Sequence, residues 1–201
     1  MLRYGPGVAL LVVDVQNDFT DPHGSLAVRG ADAVVPVINR EIALARSNGA
    51  MVVYTQDWHP ERTPHFQRDG GPWPVHCVGD TWGADFFATL DVPAGSSVIR
   101  KGTNGEDGYS AFTMRDPDTG DTVKTPLEML LHEAGVDRVV VVGFATDYCV
   151  AATAHDAARL GHETTVLTDA TMAVDVHAGD GDRALDALRG AGVTLASTLE
   201  A

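Results

Sequence analysis

The stretch QDWHPERTPHFQRDGGPWPVHCV, residues 56–78, sets Asp57 and His59 one residue apart and adds His65 and His76 to the same Pro- and Gly-rich segment. In an extended chain Asp57 and His59 point to one side, because side chains there alternate. Carboxylate and imidazole ligands suit zinc, iron, manganese or nickel. Each of these histidines alone reads as an ordinary polar loop residue. Together with the Asp, on one Pro-stiffened loop, they favour a metal site. Cys77 follows His76 directly, and neighbours in an extended chain face opposite ways, so Cys77 reads as a packing residue. Trp73, in GGPWPVHC, fits either a loop anchor or a pocket wall.

Three further residues carry chemistry. Cys149 opens a helical pattern after an apolar strand, where a helix start favours a thiolate. The small residues of the preceding GFAT leave backbone N–H groups free to meet a substrate oxygen. A lone cysteine on a helix face is as well explained by packing. Asp14 closes the first apolar run beside QNDF. It fits a solvated strand end or an Asx turn, as Asp18 and Asp21 do, or a carboxylate whose ionisation is set by burial and by a cation. Lys101 is the candidate cation, since lysine occurs only at 101 and 124. A Cys–Asp–Lys set of this kind can take up a thiol proton and pass it to a leaving amine.

These residues need elements that bring them together. Apolar runs at 8–15, 51–55, 96–101, 137–144, 163–170 and 193–198 have strand length. Helical spacing falls at 34–50, 126–135, 146–162 and 180–192. Gly49, Gly135 and Gly161 supply stops, and Thr146 with Asp147 a start. Segments 57–83 and 102–124 have no period, and PDTGD marks a turn. A β-α-β-α alternation with strands apolar on both faces implies an open parallel sheet covered by helices. Sites in such sheets form at the carboxyl ends of strands. Asp14, Asp57 with His59, Lys101 and Cys149 all fall at such ends. A loop as long as 57–83 is expected to be functional.

Composition bounds the rest. The 201 residues suit one domain spanning 1–201, and an apolar content of 44% argues against disorder. A formal charge of −14 argues against a nucleic-acid partner. The apolar run at the N-terminus is short and ends at Asp14, so it reads as a buried strand, and no membrane partner is expected. Cys77 and Cys149 have no framework spacing, consistent with a cytoplasmic protein without disulfides. His23, His132, His155, His162 and His177 are scattered and read as structural or surface residues.

Taken together, DVQNDF (14–19), DWHP (57–60), GGPWPVHCV (70–78), RKGTN (100–104), YSAF (109–112) and GFATDYCV (143–150) resemble the nicotinamidases, also called pyrazinamidases, of the isochorismatase-like cysteine hydrolases. The motifs run in family order from residue 8 to about residue 170. The resemblance implies an open, mainly parallel six-stranded sheet with helices on both faces, a three-layer Rossmann-like arrangement. It implies Asp14 as general base, Lys101 as its charge partner and Cys149 as nucleophile. The oxyanion donors would be the backbone N–H groups of Ala145 and Cys149, with a cis peptide at Phe144–Ala145. One divalent metal ion, zinc foremost with iron or manganese as alternatives, would be held by Asp57, His59 and His76. His65 would join them directly or through water. Phe19, Trp73, Tyr109 and Tyr148 would contact the ring of a small pyridine or pyrazine carboxamide. The implied reaction is hydrolysis of nicotinamide to nicotinate and ammonia, by a monomer or homo-oligomer. The rivals are a related hydrolase acting on isochorismate or a carbamoyl amine, and a non-catalytic metal-binding protein.

Overall fold

The computed structural model describes residues 4–198. Its strands are β1 (Val8–Val13), β2 (Met51–Asp57), β3 (Ser97–Lys101), β4 (Thr113–Arg115), β5 (Thr122–Lys124), β6 (Arg138–Phe144), β7 (Glu163–Met172) and β8 (Thr194–Ala196). Its α-helices are α1 (Asn17–Thr20), α2 (Ala31–Ser47), α3 (Leu127–Glu133), α4 (Ala151–Arg159) and α5 (Asp180–Gly190). Six strands form one sheet in the order β3-β2-β1-β6-β7-β8, and every neighbouring pair is parallel.

Strand β1 is buried along its whole length because both its faces are covered. Leu10 and Val12 pack with Val35, Ile38 and Ile42 of α2. Ala9, Leu11 and Val13 pack on the other side with Leu127 and Leu131 of α3 and Ala154 and Ala157 of α4. Each buried Leu or Ile contributes roughly 1.5–3 kcal/mol, so these two clusters are what clamp the sheet between its helices. The helical spacing of Val34, Val35, Ile38, Ile42 and Ala45 is the reason α2 forms. It stops where the Asn48 side chain bonds the Leu44 carbonyl (2.8 Å) and Gly49 turns left-handed at φ 76°.

The structure departs from the periodic reading in two places. Segment 102–124, read as irregular, contains the antiparallel pair β4–β5 around the expected PDTGD turn. Strands of three residues, exposed or half-buried, are too short to show a period. The helix expected over 146–162 begins as a π turn, Thr146–Val150, before α4. Asp147 does not cap it: its carboxylate accepts the N–H groups of Val174 (3.0 Å) and Asp175 (2.9 Å) instead.

The strand order reverses between β1 and β6, and ligands of open α/β sheets bind at such a switch point. Gly143 is the close contact there. It pairs with Val13, the β6–β7 register shifts beside it, and the following peptide bond, Phe144–Ala145, is cis. A Cβ at Gly143 would overlap the backbone of Val13, and its φ of 110° is open only to glycine. No helix among the described residues is long and apolar enough to cross a membrane. Gly143→Ala should destabilise the fold by more than about 1 kcal/mol, seen as a fall in Tm of at least about 3 °C in thermal unfolding followed by circular dichroism. An unchanged Tm would mean that β1 and β6 can part at no cost.

Candidate active site

Register carries the charged residues to one rim. The β2–β3 pairing sets Asp57 opposite Lys101, while Asp14 follows β1 on the other side of β2. Asp14 leaves the strand at φ 50°, a left-handed conformation that Asp adopts more readily than most residues. Its N–H donates to Thr55 Oγ1 (3.1 Å), whose hydroxyl donates back to Asp14 Oδ1 (2.5 Å). Gln16 holds Asp57 by the main chain, accepting its N–H (2.8 Å) and donating to its carbonyl (2.7 Å).

Lys101 Nζ joins the set. It lies 2.7 Å from Asp14 Oδ2, 2.8 Å from Asp57 Oδ1 and 3.4 Å from Cys149 Sγ. The contact with Asp57 is an ion pair rather than an aligned hydrogen bond, since Oδ1 has no hydrogen-bond partner among the described residues. Asp14, Asp57 and Lys101 are all buried. Burial opposes the charge on Lys101, but the two carboxylates outweigh it and hold the ammonium well above its ordinary pKa. Asp14 moves up: burial raises it, Lys101 pulls it back in part, and the Asp57 charge adds to the rise. Asp57 goes the other way. Burial works against its carboxylate, yet Lys101, His59 and His76 hold its pKa well below the usual range. Two carboxylates pushed apart in this way divide the work: Asp57 stays an anion and Asp14 is the one that can take a proton.

Cys149 corrects one expectation. A helix start was expected to favour its thiolate, but burial raises the thiol well above its ordinary pKa. The Lys101 charge works against that rise, and those of Asp14 and Asp57 add to it. The residue is buried at the π turn, so Cys149 rests as a thiol. A carboxylate oxygen of Asp14 lies within 4.8 Å of Sγ, close enough to take the proton as a bond forms. Asp18 is a second correction. It is buried, and its carboxylate accepts the N–H groups of Cys77 (2.7 Å) and Ser25 (3.0 Å), tying α1 to the His-bearing loop. Cys77 itself lies in the buried core, and neither cysteine is in a disulfide.

The three loop histidines converge. One ring nitrogen from each of His59, His65 and His76 lies within 4.8 Å of the others. Asp57 Oδ2 is 3.8 Å from His59 Nε2 and 3.9 Å from His76 Nε2. Three observations fit a divalent cation here. Both ring nitrogens of His59 are buried without a partner among the described residues. His76 donates Nδ1–H to the Pro74 carbonyl (2.8 Å), which leaves Nε2 as a lone pair. Burial drops the pKa of His76 to about 4 despite the Asp57 charge, so the ring is neutral.

A pocket of about 340 Å³, its open mouth included, is lined by Ala145, Cys149, Asp57, His65 and His76. Its walls include Phe19, Trp73, Tyr109 and Tyr148. Trp73 is thus a wall, and an anchor too, because Nε1–H donates to the Tyr109 hydroxyl (3.0 Å). Tyr148 stands edge-on to both rings, at 4.8 and 5.2 Å between centroids. The expected site residues are therefore brought together, and those with no expected role stay out: His23, His132, His155 and His177 are exposed, and His162 is half-buried against Phe112. Sequence reasoning missed Thr55, Gln16 and Asp107. Gln16 had a signal, as a polar residue inside DVQNDF just past a strand end. Asp107, 2.7 Å from His65 Nδ1, had none.

Known proteins resemble the chain over most of its length. The family model described as an isochorismatase domain matches residues 8–200. The nicotinamidase/pyrazinamidase of Mycobacterium tuberculosis is 43% identical over 192 residues, covering 93% of this chain and 97% of that one. The pyrazinamidase of Pyrococcus horikoshii in complex with zinc superposes with a TM-score of 0.85 at 39% identity, over 96% of this chain and 99% of the other. The L. infantum protein PnC1 in complex with nicotinate gives a TM-score of 0.89 at 40% identity, over 98% and 96%.

Gly102 tests the histidine cluster. A Cβ there would stand 2.6 Å from His59 Nδ1, so Gly102→Ala should displace the ring and weaken metal binding about tenfold or more. Elemental analysis of purified protein reads this, and metal content equal to wild type would count against His59 as a ligand.

Proposed function

The chain belongs to the isochorismatase domain family, and from that premise we propose that it is a metal-dependent nicotinamidase, hydrolysing nicotinamide and pyrazinamide through a thioester on Cys149. The observation that carries this reading is the position of Lys101. One ammonium touches the thiol, the carboxylate that can take its proton and the carboxylate that faces the imidazoles. Nucleophile and candidate metal centre thereby line one aromatic pocket.

The chemistry follows from the groups present. Sγ of Cys149 bonds to the carboxamide carbon while its proton passes to Asp14. The backbone N–H groups of Ala145 and Cys149, both in the pocket lining, are assigned to the developing oxyanion. Asp14 returns the proton to the nitrogen, the C–N bond breaks and ammonia leaves. Water then attacks the thioester with Asp14 as base, releasing the carboxylate and restoring the thiol. Lys101 keeps the local charge balanced as Asp14 gains and loses its proton. A divalent cation held by Asp57, His59, His65 and His76 would supply a Lewis-acid anchor for a ring nitrogen, with zinc preferred to iron or manganese. Phe19, Trp73, Tyr109 and Tyr148 orient the flat ring, and orientation of this kind supplies much of a rate enhancement. The two free, buried cysteines support a cytoplasmic setting.

A coupled assay for ammonia from nicotinamide tests the whole reading. Activity is expected, to be lost with a chelator and restored by zinc, iron or manganese. No ammonia from metal-loaded protein would sink it. Cys149→Ala should lower turnover by at least about 10³-fold while the ring still binds. Asp14→Asn and Lys101→Ala should each cost about 10²–10⁴-fold in turnover, since Asn cannot accept the thiol proton and loss of Lys101 leaves two buried carboxylates without their cation. Near-normal turnover in either variant would remove that residue from the mechanism.

A further inference from the structure

We infer that Asp107 is a positioning residue of the metal centre: its carboxylate accepts Nδ1–H of His65, aims Nε2 at the cation and so makes His65 a direct ligand. This rests on the metal-dependent reading above. His65 Nδ1 lies 2.7 Å from Asp107 Oδ1. An ionised carboxylate can only accept, so Nδ1 carries the proton and the lone pair falls on Nε2. The imidazole is buried, stacked at 4.9 Å on the ring of His59 and 5.5 Å from that of His76.

Asp107 is itself tethered from outside the histidine loop. Its Oδ1 accepts the N–H of Gly108 (2.9 Å), and its backbone exchanges two hydrogen bonds with Arg115 of β4 (2.8 and 2.5 Å). The Arg115 guanidinium lies 3.6 Å from Oδ2. Among the described residues the main chain of His65, by contrast, is held within its own loop, by Thr63 Oγ1 and by the N–H of Trp73 (both 3.3 Å). The ring therefore takes its direction from the β4–β5 hairpin through Asp107. His76 has a neutral carbonyl in the same place, whereas a carboxylate partner both fixes the tautomer and makes the imidazole a stronger donor to a cation.

The test is zinc affinity of the full-length protein, measured by competition with a chromophoric chelator and without substrate. Asp107→Ala should weaken zinc binding about 10–100-fold. Asp107→Asn should weaken it less, because its amide oxygen still accepts. In a His65→Ala background, Asp107→Ala should add less than about a twofold effect, as expected of a residue acting through His65. With cobalt in place of zinc, Asp107→Ala should change the visible absorption as a ligand is lost. Should Asp107→Ala fail to fold, Asp107→Asn with and without His65 makes the same comparison. Zinc affinity of Asp107→Ala within about twofold of wild type, or a loss equal in size with and without His65, would overturn the inference. Zinc binding that depends on Asp107 in a protein that releases no ammonia would overturn the proposed function and leave this inference standing.

Discussion

The buried ammonium of Lys101 is the interaction on which the rest depends. It sits at the end of β3, within 3.4 Å of Cys149 Sγ and in ion-pair contact with Asp14 and Asp57. A charge this deep persists only if its partners are held in place, because losing one leaves an uncompensated ion. The sheet provides that rigidity. Three neighbouring parallel strands end in Asp14, Asp57 and Lys101, and hydrogen-bonded register holds their spacing. Thr55 and Gln16 extend the same control to the Asp14 carboxylate and the Asp57 backbone.

The lysine also divides the site in two. On one side lie the thiol and Asp14, whose raised pKa suits a proton acceptor. On the other lies Asp57, kept anionic and facing the imidazoles of His59 and His76. The same residue type does two jobs because local charge differs, not because the side chains do. The aromatic pocket is lined by residues of both halves. An irregular loop suits the histidine side, since side chains from residues 57–76 converge there and no regular element would let them.

Much of this was legible in the sequence. Long apolar runs such as VALLVV and RVVVVGF and amphipathic spacing such as that of α2 report burial directly, so the sheet and its helices were readable to within a few residues. The hairpin β4–β5 was not, because strands of three residues leave no periodic trace. The π turn was not, because its composition matches that of an α-helix. Asp14, Asp57, Lys101 and Cys149 stood out because polar residues at the ends of apolar strands converge in any parallel sheet.

Residue types and their order thus determined the fold class and the rim to which Asp14, Asp57, Lys101 and Cys149 are brought. Tertiary structure alone decided their ionisation and their partners. Whether Cys149 rests as thiol or thiolate depends on burial and on charges brought from β1, β2 and β3. Asp18 and Asp107 look like ordinary loop acids in the chain; one is buried under the metal loop and the other meets a histidine 42 residues away. Electrostatic energy varies with distance and solvent access, and neither quantity exists until the chain has folded.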